Sequence, residues 1–199
     1  MAIKGHTIVN RVTSDVITFI QTRDDTNGTL LQFDNRHDER GIGPVPHRHP
    51  LQEETFIVKK GILSITIADR KFTLHAGEKA IVPPDTMHYW SNGGQGELHL
   101  LTEFRPALHF EEIIETIATL SQQGKVDEHG NPSPVQMSAT LNAYYGEFFL
   151  GTMPVPIQVF MFRFFGWVLR KIFRYPDYLK YNNRQRSEAS PIRADYRTP

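Results

Sequence analysis

The chain has 199 residues, 39% hydrophobic and 22% charged, which fits one globular domain, or one domain with an appendage. Its formal net charge is zero, so no basic excess draws it to nucleic acid. It holds no cysteine, which excludes disulfides, thiolate zinc sites, iron–sulfur ligation and a cysteine nucleophile, and fits a cytoplasmic setting.

The opening Met-Ala-Ile-Lys-Gly-His-Thr-Ile-Val-Asn lacks the apolar run of a signal peptide. From there to Pro106, short runs rich in β-branched and aromatic residues alternate with Gly, Pro, Asn and Asp turns. The runs are 7–9, 16–22, 29–33, 55–58, 62–68, 71–74, 79–82, 87–90 and 98–104. Short strands at even spacing predict an antiparallel sandwich or barrel. Asp24-Asp25-Thr26-Asn27-Gly28 predicts a hairpin tip.

Two segments of this region carry chemistry. The first is Gly41-Ile-Gly-Pro-Val-Pro-His47-Arg-His49-Pro-Leu-Gln-Glu-Glu54, followed by a spacer to Gly61. The second is Gly77-Glu-Lys-Ala-Ile-Val-Pro83-Pro-Asp-Thr-Met-His88-Tyr-Trp-Ser-Asn92. His47 and His49, two apart in a strand, point the same way. Glu54 opens the next strand, Gly61 ends it, and His88 follows the turn at Pro83-Pro84-Asp85. Three imidazoles and a carboxylate suit Fe, Mn, Ni, Cu or Zn better than Ca or Mg. With four protein ligands, an octahedral ion keeps about two open positions. A His-x-His pair alone is more often a surface or satisfied core pair, and the matched spacing of Glu54 and His88 is what lifts this set above that reading. Glu53 competes locally with Glu54, but the six-residue run to Gly61 fits Glu54 and leaves Glu53 as a solvated charge.

These segments resemble the paired motifs of the cupin superfamily, Gly-x5-His-x-His-x3,4-Glu-x6-Gly and Gly-x5-Pro-x-Gly-x2-His-x3-Asn. The first is matched throughout, and the second departs only where Asp85 stands in place of the last glycine. The resemblance runs by motif from Gly41 to Asn92 and by strand pattern from about Ile8 to Phe104. It implies a mainly β fold, a single cupin-type antiparallel β-barrel (jelly roll). It also implies one divalent transition metal ion held by His47, His49, Glu54 and His88.

After Pro106 the period changes. Phe110, Ile113, Ile114, Ile117 and Leu120 predict an amphipathic helix with Glu111, Glu112 and Glu115 on its other side, ended by Gly124. Residues 125–134 read as a polar loop, and Leu141, Tyr144, Tyr145 and Phe148 predict a second helix. A third carries Ile157, Phe160, Met161, Phe164, Phe165, Val168, Leu169 and Ile172 on one stripe, with Arg163, Arg170 and Arg174 gathered beside Trp167. Its central charges exclude a transmembrane span. Packing against the barrel or a second subunit is the commoner fate of such a stripe. Peripheral membrane contact through 157–174 is the alternative that a basic, aromatic, amphipathic helix offers. The chain thus divides into 1–106, the barrel with its metal site, and 107–199, a helical extension of about three helices with a polar tail.

Alternation places Phe56 and Val58 on the face of Glu54 and Trp90 on that of His88, making these three candidate substrate contacts. His99 shares a face with Glu103; facing inward it would touch substrate or act as acid or base. An outward His99 is the equal alternative, because Leu98, Leu100 and Phe104 form the more apolar face. His37, His75, His109 and His129 read as exposed. The apolar lining suits a small organic ligand. The cupin resemblance implies a metal-dependent oxidoreductase of dioxygenase type acting on an aromatic or enolic substrate, with Glu54 also available as a proton carrier. An isomerase or lyase would use the same ligands, and a non-catalytic sugar- or metabolite-binding sensory module is the alternative from another class. Sheet edges and the added helices predict a homodimer.

Overall fold

The computed structural model describes residues 2–38, 43–172, 174 and 179. Gly41, which opens the first motif, and the polar tail from 180 onward lie outside the described residues.

The strands are β1 (Thr7–Val9), β2 (Val16–Gln21), β3 (Leu31–His37), β4 (His47–Arg48), β5 (Glu53–Lys60), β6 (Ile62–Ile67), β7 (Arg70–His75), β8 (Lys79–Val82), β9 (His88–Asn92), β10 (Leu98–Arg105) and β11 (Phe149–Leu150). The helices are α1 (Phe110–Gln122), α2 (Pro134–Ala143) and α3 (Val155–Lys171). All strand pairs are antiparallel and form a six-stranded sheet, β1-β2-β3-β10-β5-β8, and a five-stranded sheet, β11-β4-β9-β6-β7. This is a mainly β architecture of two antiparallel sheets with a three-helix C-terminal region.

Period-two patterning explains the sheets. In β6, Leu63 and Ile65 are buried while Ser64 and Thr66 lie on the other face. Together with Phe56, Val58, Val82, Trp90, Leu98 and Leu100 they form a core contributed by both sheets. Gly61 makes the β5–β6 turn possible: its φ is 83°, and a Cβ there would lie 2.6 Å from the Glu97 carbonyl oxygen. The hairpin tip at Asp24 is a short 3₁₀ turn, Asp24–Thr26. A second core joins β1, β2, β3 and β10 to the extension, through Ile8, Phe19, Phe33 and Phe104 on one side and Phe110, Ile113, Leu141 and Phe162 on the other.

After Pro106 the helices depart from the simplest reading of the sequence in three places. Glu111, Glu112 and Glu115 are buried and not solvated: Glu111 accepts from the Arg23 amide, Glu112 pairs with the Arg23 guanidinium at 3.0 Å, and Glu115 lies 3.4 Å from His6. α1 is therefore covered on its polar face as well. The second helix lies earlier than the apolar spacing indicated. Ser133 and Gln136 form a capping box around Pro134, and α2 ends at Ala143 because Gly146 turns the chain with φ 88°. Phe148 thereby leaves the helix and leads into β11. Finally, α3 buries Gln158, Phe162 and Gly166, while Ile157, Phe160, Phe164 and Ile172 of the expected packing stripe are exposed. Gly166 sets that choice, since a Cβ there would sit 2.4 Å from the Asn142 Cβ of α2.

Candidate metal centre

The four residues singled out by spacing converge. One ligand atom from each of His47, His49, Glu54 and His88 lies within 4.8 Å of the others, and all four residues are 5% exposed or less. β4 and β9 place His47 opposite His88, while Glu54 sits on β5 against Val82 and Phe104. The turn before His88 works without the glycine of the motif it resembles because Asp85 itself adopts φ 57°. There its amide donates to the His49 carbonyl at 2.8 Å, and Arg48 pairs with its carboxylate at 3.3 Å. Asn92 holds the end of the same motif, donating to the carbonyls of Asp38 and Gly96.

Each imidazole is anchored through Nδ1 to a main-chain carbonyl: His47 to Val45 at 2.8 Å, His88 to Thr86 at 2.9 Å and His49 to Glu147 at 3.3 Å. Such anchoring fixes the tautomer that turns the Nε2 lone pair to the centre. The Nε2 of His49 is buried without a hydrogen-bond partner, 3.6 Å from Glu54 Oε2. A polar atom so placed is costly unless an ion takes it up. Burial, reinforced by the charge of His88, pushes the His47 imidazole down to about 3, and His49 moves the same way for the same first reason. Both rings are therefore neutral, as ligation requires. Burial raises Glu54. Burial alone would lower His88, but the 2.8 Å hydrogen bond to Glu54 and that residue's charge outweigh it and raise the imidazole above 6.5. A metal at this Nε2 displaces one proton. The donor set fits a divalent transition ion held by three neutral imidazoles and one carboxylate.

The walls are aromatic. The Phe148 ring stacks on His47 at 4.9 Å, and Phe104, Phe110 and Phe148 meet His49 edge-on at 5.0–5.4 Å. Phe56 meets His88 at 6.5 Å and Trp90 at 6.1 Å, so Phe56 and Trp90 share the inner side with the ligands; Val58 packs in the core between the sheets. His99 does not join them. On β10, Leu98, Leu100, Thr102 and Phe104 face inward, and His99 lies on the opposite face paired with Asp34. The more apolar face won the interior, which removes His99 as a substrate contact or acid–base group. His37 is likewise corrected: it is buried, paired with Asp15 and packed on Trp90 at 4.5 Å. His75, His109 and His129 are exposed as expected, and the His109 ring meets Glu147 at 2.6 Å. Phe110, Glu147 and Phe148 went unrecognised as site residues. The only sequence signal was the aromatic Phe148 beyond Gly146, which helical spacing absorbed.

Residues 37–104 match the family model described as a cupin domain. No curated protein sequence matches the chain. Solved structures similar to it include a predicted oxalate decarboxylase from Thermotoga maritima, 14% identical over 53% of this chain and 99% of that one, with a TM-score of 0.46. An RmlC-like cupin from Shewanella frigidimarina is 19% identical over 54% and 90%, with a TM-score of 0.44. KdgF from Halomonas sp. is 18% identical over 46% and 78%, with a TM-score of 0.42.

Proposed function

We propose that this chain, a cupin by its domain and fold, is a metal-dependent enzyme acting on a small aromatic or enolic substrate, of oxidoreductase and dioxygenase type. One observation carries the reading. Three imidazoles are anchored at Nδ1 so that Nε2 converges with a buried carboxylate, and one of those nitrogens is buried without a partner.

His47, His49, Glu54 and His88 hold the ion. When bound, a divalent transition metal supplies Lewis acidity at its open positions, and redox chemistry where it is Fe, Mn, Ni or Cu. The protein supplies the rest. Phe104, Phe110 and Phe148 keep water from the centre, which strengthens every charge interaction inside it. Phe56 and Trp90, buried on the ligands' side, bound the space a small flat substrate would enter. Glu54, once detached from the ion, would hold or release a proton at Oε2, which lies 2.8 Å from His88 Nε2.

Metal analysis of untagged protein tests this, with the His47→Ala, His88→Ala double variant alongside. Bound Fe, Mn, Ni or Cu that is lost in the variant, together with oxygen uptake on enolic or aromatic compounds, is the expected result. Zinc without oxygen uptake moves the reading to an isomerase or lyase on the same ligands. Absence of metal from both proteins after reconstitution overturns it. The aromatic wall supports a second reading, a module that holds a metabolite without converting it; saturable metabolite binding with no turnover by the metal-loaded protein selects that one.

A further inference from the structure

The outer face of α3 carries a run of exposed aromatic and aliphatic side chains. Phe160 is 65% exposed and Trp167 56%, with Ile157 and Phe164 beside them and Ile172 one residue past the helix. The Phe160 and Phe164 rings stack at 5.7 Å, and Pro156, Val159, Phe160, Arg163, Phe164 and Trp167 line a shallow groove. The helix cannot turn these rings inward. Its other face is fixed against α2 at Gly166, and the buried Gln158 side chain bonds the Leu150 amide and carbonyl and the Met153 carbonyl at 2.6–2.9 Å.

Charge singles out the same face. Residues 148–176 contain no aspartate or glutamate, but include Arg163, Arg170, Lys171 and Arg174, in a chain whose formal net charge is zero. Arg163, Arg170 and Lys171 are exposed on the turns that carry the aromatics. We propose that this face docks on an anionic lipid bilayer, with α3 lying in the plane of the interface. Aromatic and aliphatic side chains enter the headgroup boundary and the flanking cations meet lipid phosphates and carboxylates. The helix is too short and too charged to cross: no helix among the described residues is long and apolar enough to span. A second copy fits this face poorly. A two-fold pairing sets each patch against itself and would desolvate Arg163 and Lys171 of both protomers with no acidic residue of α3 opposite them.

The test is co-sedimentation of the full chain with vesicles of phosphatidylcholine containing about one-third phosphatidylserine, and with phosphatidylcholine alone. Trp167 gives a second readout. The other tryptophan, Trp90, is buried, so a blue shift in emission on adding vesicles reports Trp167. The expected result is binding to the anionic vesicles, weakened by salt, with the emission shift. Arg163→Glu with Arg170→Glu should weaken that binding by more than about twenty-fold. Phe160→Ser with Phe164→Ser should abolish the binding while thermal unfolding of the exposed-site variant stays close to that of the parent. No binding to either vesicle overturns the proposal, as does binding that survives both variants. So does a solution dimer that the Phe160→Ser, Phe164→Ser variant dissociates. Removal of residues 175–199 checks for cover by the chain's own tail: vesicle binding gained only in the truncated protein overturns docking by the full chain.

Discussion

Burial holds the His47 imidazole down to about 3, and that single displacement makes stability depend on pH. Between about 3 and 6.5 the unfolded chain carries a proton on this ring that the folded protein does not. Stability of the chelator-treated protein therefore falls as pH drops through that window, by about 1.4 kcal/mol per unit for one imidazole. His49 is lowered too and adds to the slope. Glu54 is raised, so above 4.5 the folded protein holds the extra proton there and offsets one ring; below that the two histidines act unopposed. His88, raised above 6.5, works in a different window: its contribution is present below 6.5 and is lost as pH rises through its folded value. Urea midpoints of the chelated protein should fall steadily from pH 6.5 to 4, and His47→Gln should flatten the slope by about one proton's worth. A midpoint that does not move with pH contradicts the placement of neutral, buried rings. At this scale the convergence of His47, His49, Glu54 and His88 was readable because their spacing on and beside short paired strands brings them together. His99 was not readable. Alternation yields two faces without naming the inner one, and the ladder slips between His99 and Leu100.

Short elements escape sequence reading for a physical reason: two residues hold no period. β4 and β11 are each two residues long and pair with one another, Phe149 with Arg48 and Leu150 with His47. Yet this pair carries a candidate metal ligand on one strand and the segment that covers it on the other. Gly151 closes the join, its amide donating to the Pro46 carbonyl at 2.6 Å. Glu147 offers its carbonyl to His49 and its carboxylate to the His109 amide and ring, so the chain entering β11 is clamped between α1 and the ligands. Phe148→Ala removes the ring stacked on His47 from a buried position and should destabilise the fold by about 3 kcal/mol. It should also admit water to the centre, so a chelator should strip metal from the variant faster than from the parent. Equal stripping rates in the two proteins would show that Phe148 packs the core without sealing the site. The long strands and α1 were legible because each spans several periods. The buried face of α3 was not, since nearly every position of the helix is apolar and only the close approach at Gly166 selects a side.

At the scale of the molecule, the candidate metal centre lies where two cores meet. His88 and Phe56 belong to the core shared by the sheets, whereas His49 contacts Phe104 and Phe110 of the core that joins the six-stranded sheet to the extension. Further ties cross Pro106. The Gln52 amide donates to the carbonyls of Pro106 and Ala107 at 2.9–3.0 Å, and the Arg23 amide and guanidinium engage Glu111 and Glu112. Because Phe19, Phe33 and Phe104 share one buried cluster with Ile113, Leu141 and Phe162, unfolding the helices strips the sheet of apolar cover, and the two parts should melt together. An ion bound only by the folded state stabilises that whole unit. At a free concentration about a hundred times its dissociation constant it contributes about 2.7 kcal/mol, which for a chain of this size raises the melting temperature by about 5–10 °C. Calorimetry of the chelated and reloaded protein should show one transition that moves as a whole. Two transitions, of which only one responds to metal, would mean that the helices fold apart from the ligands. That result would leave Phe110 and Phe148 as neighbours of the centre with no part in holding it.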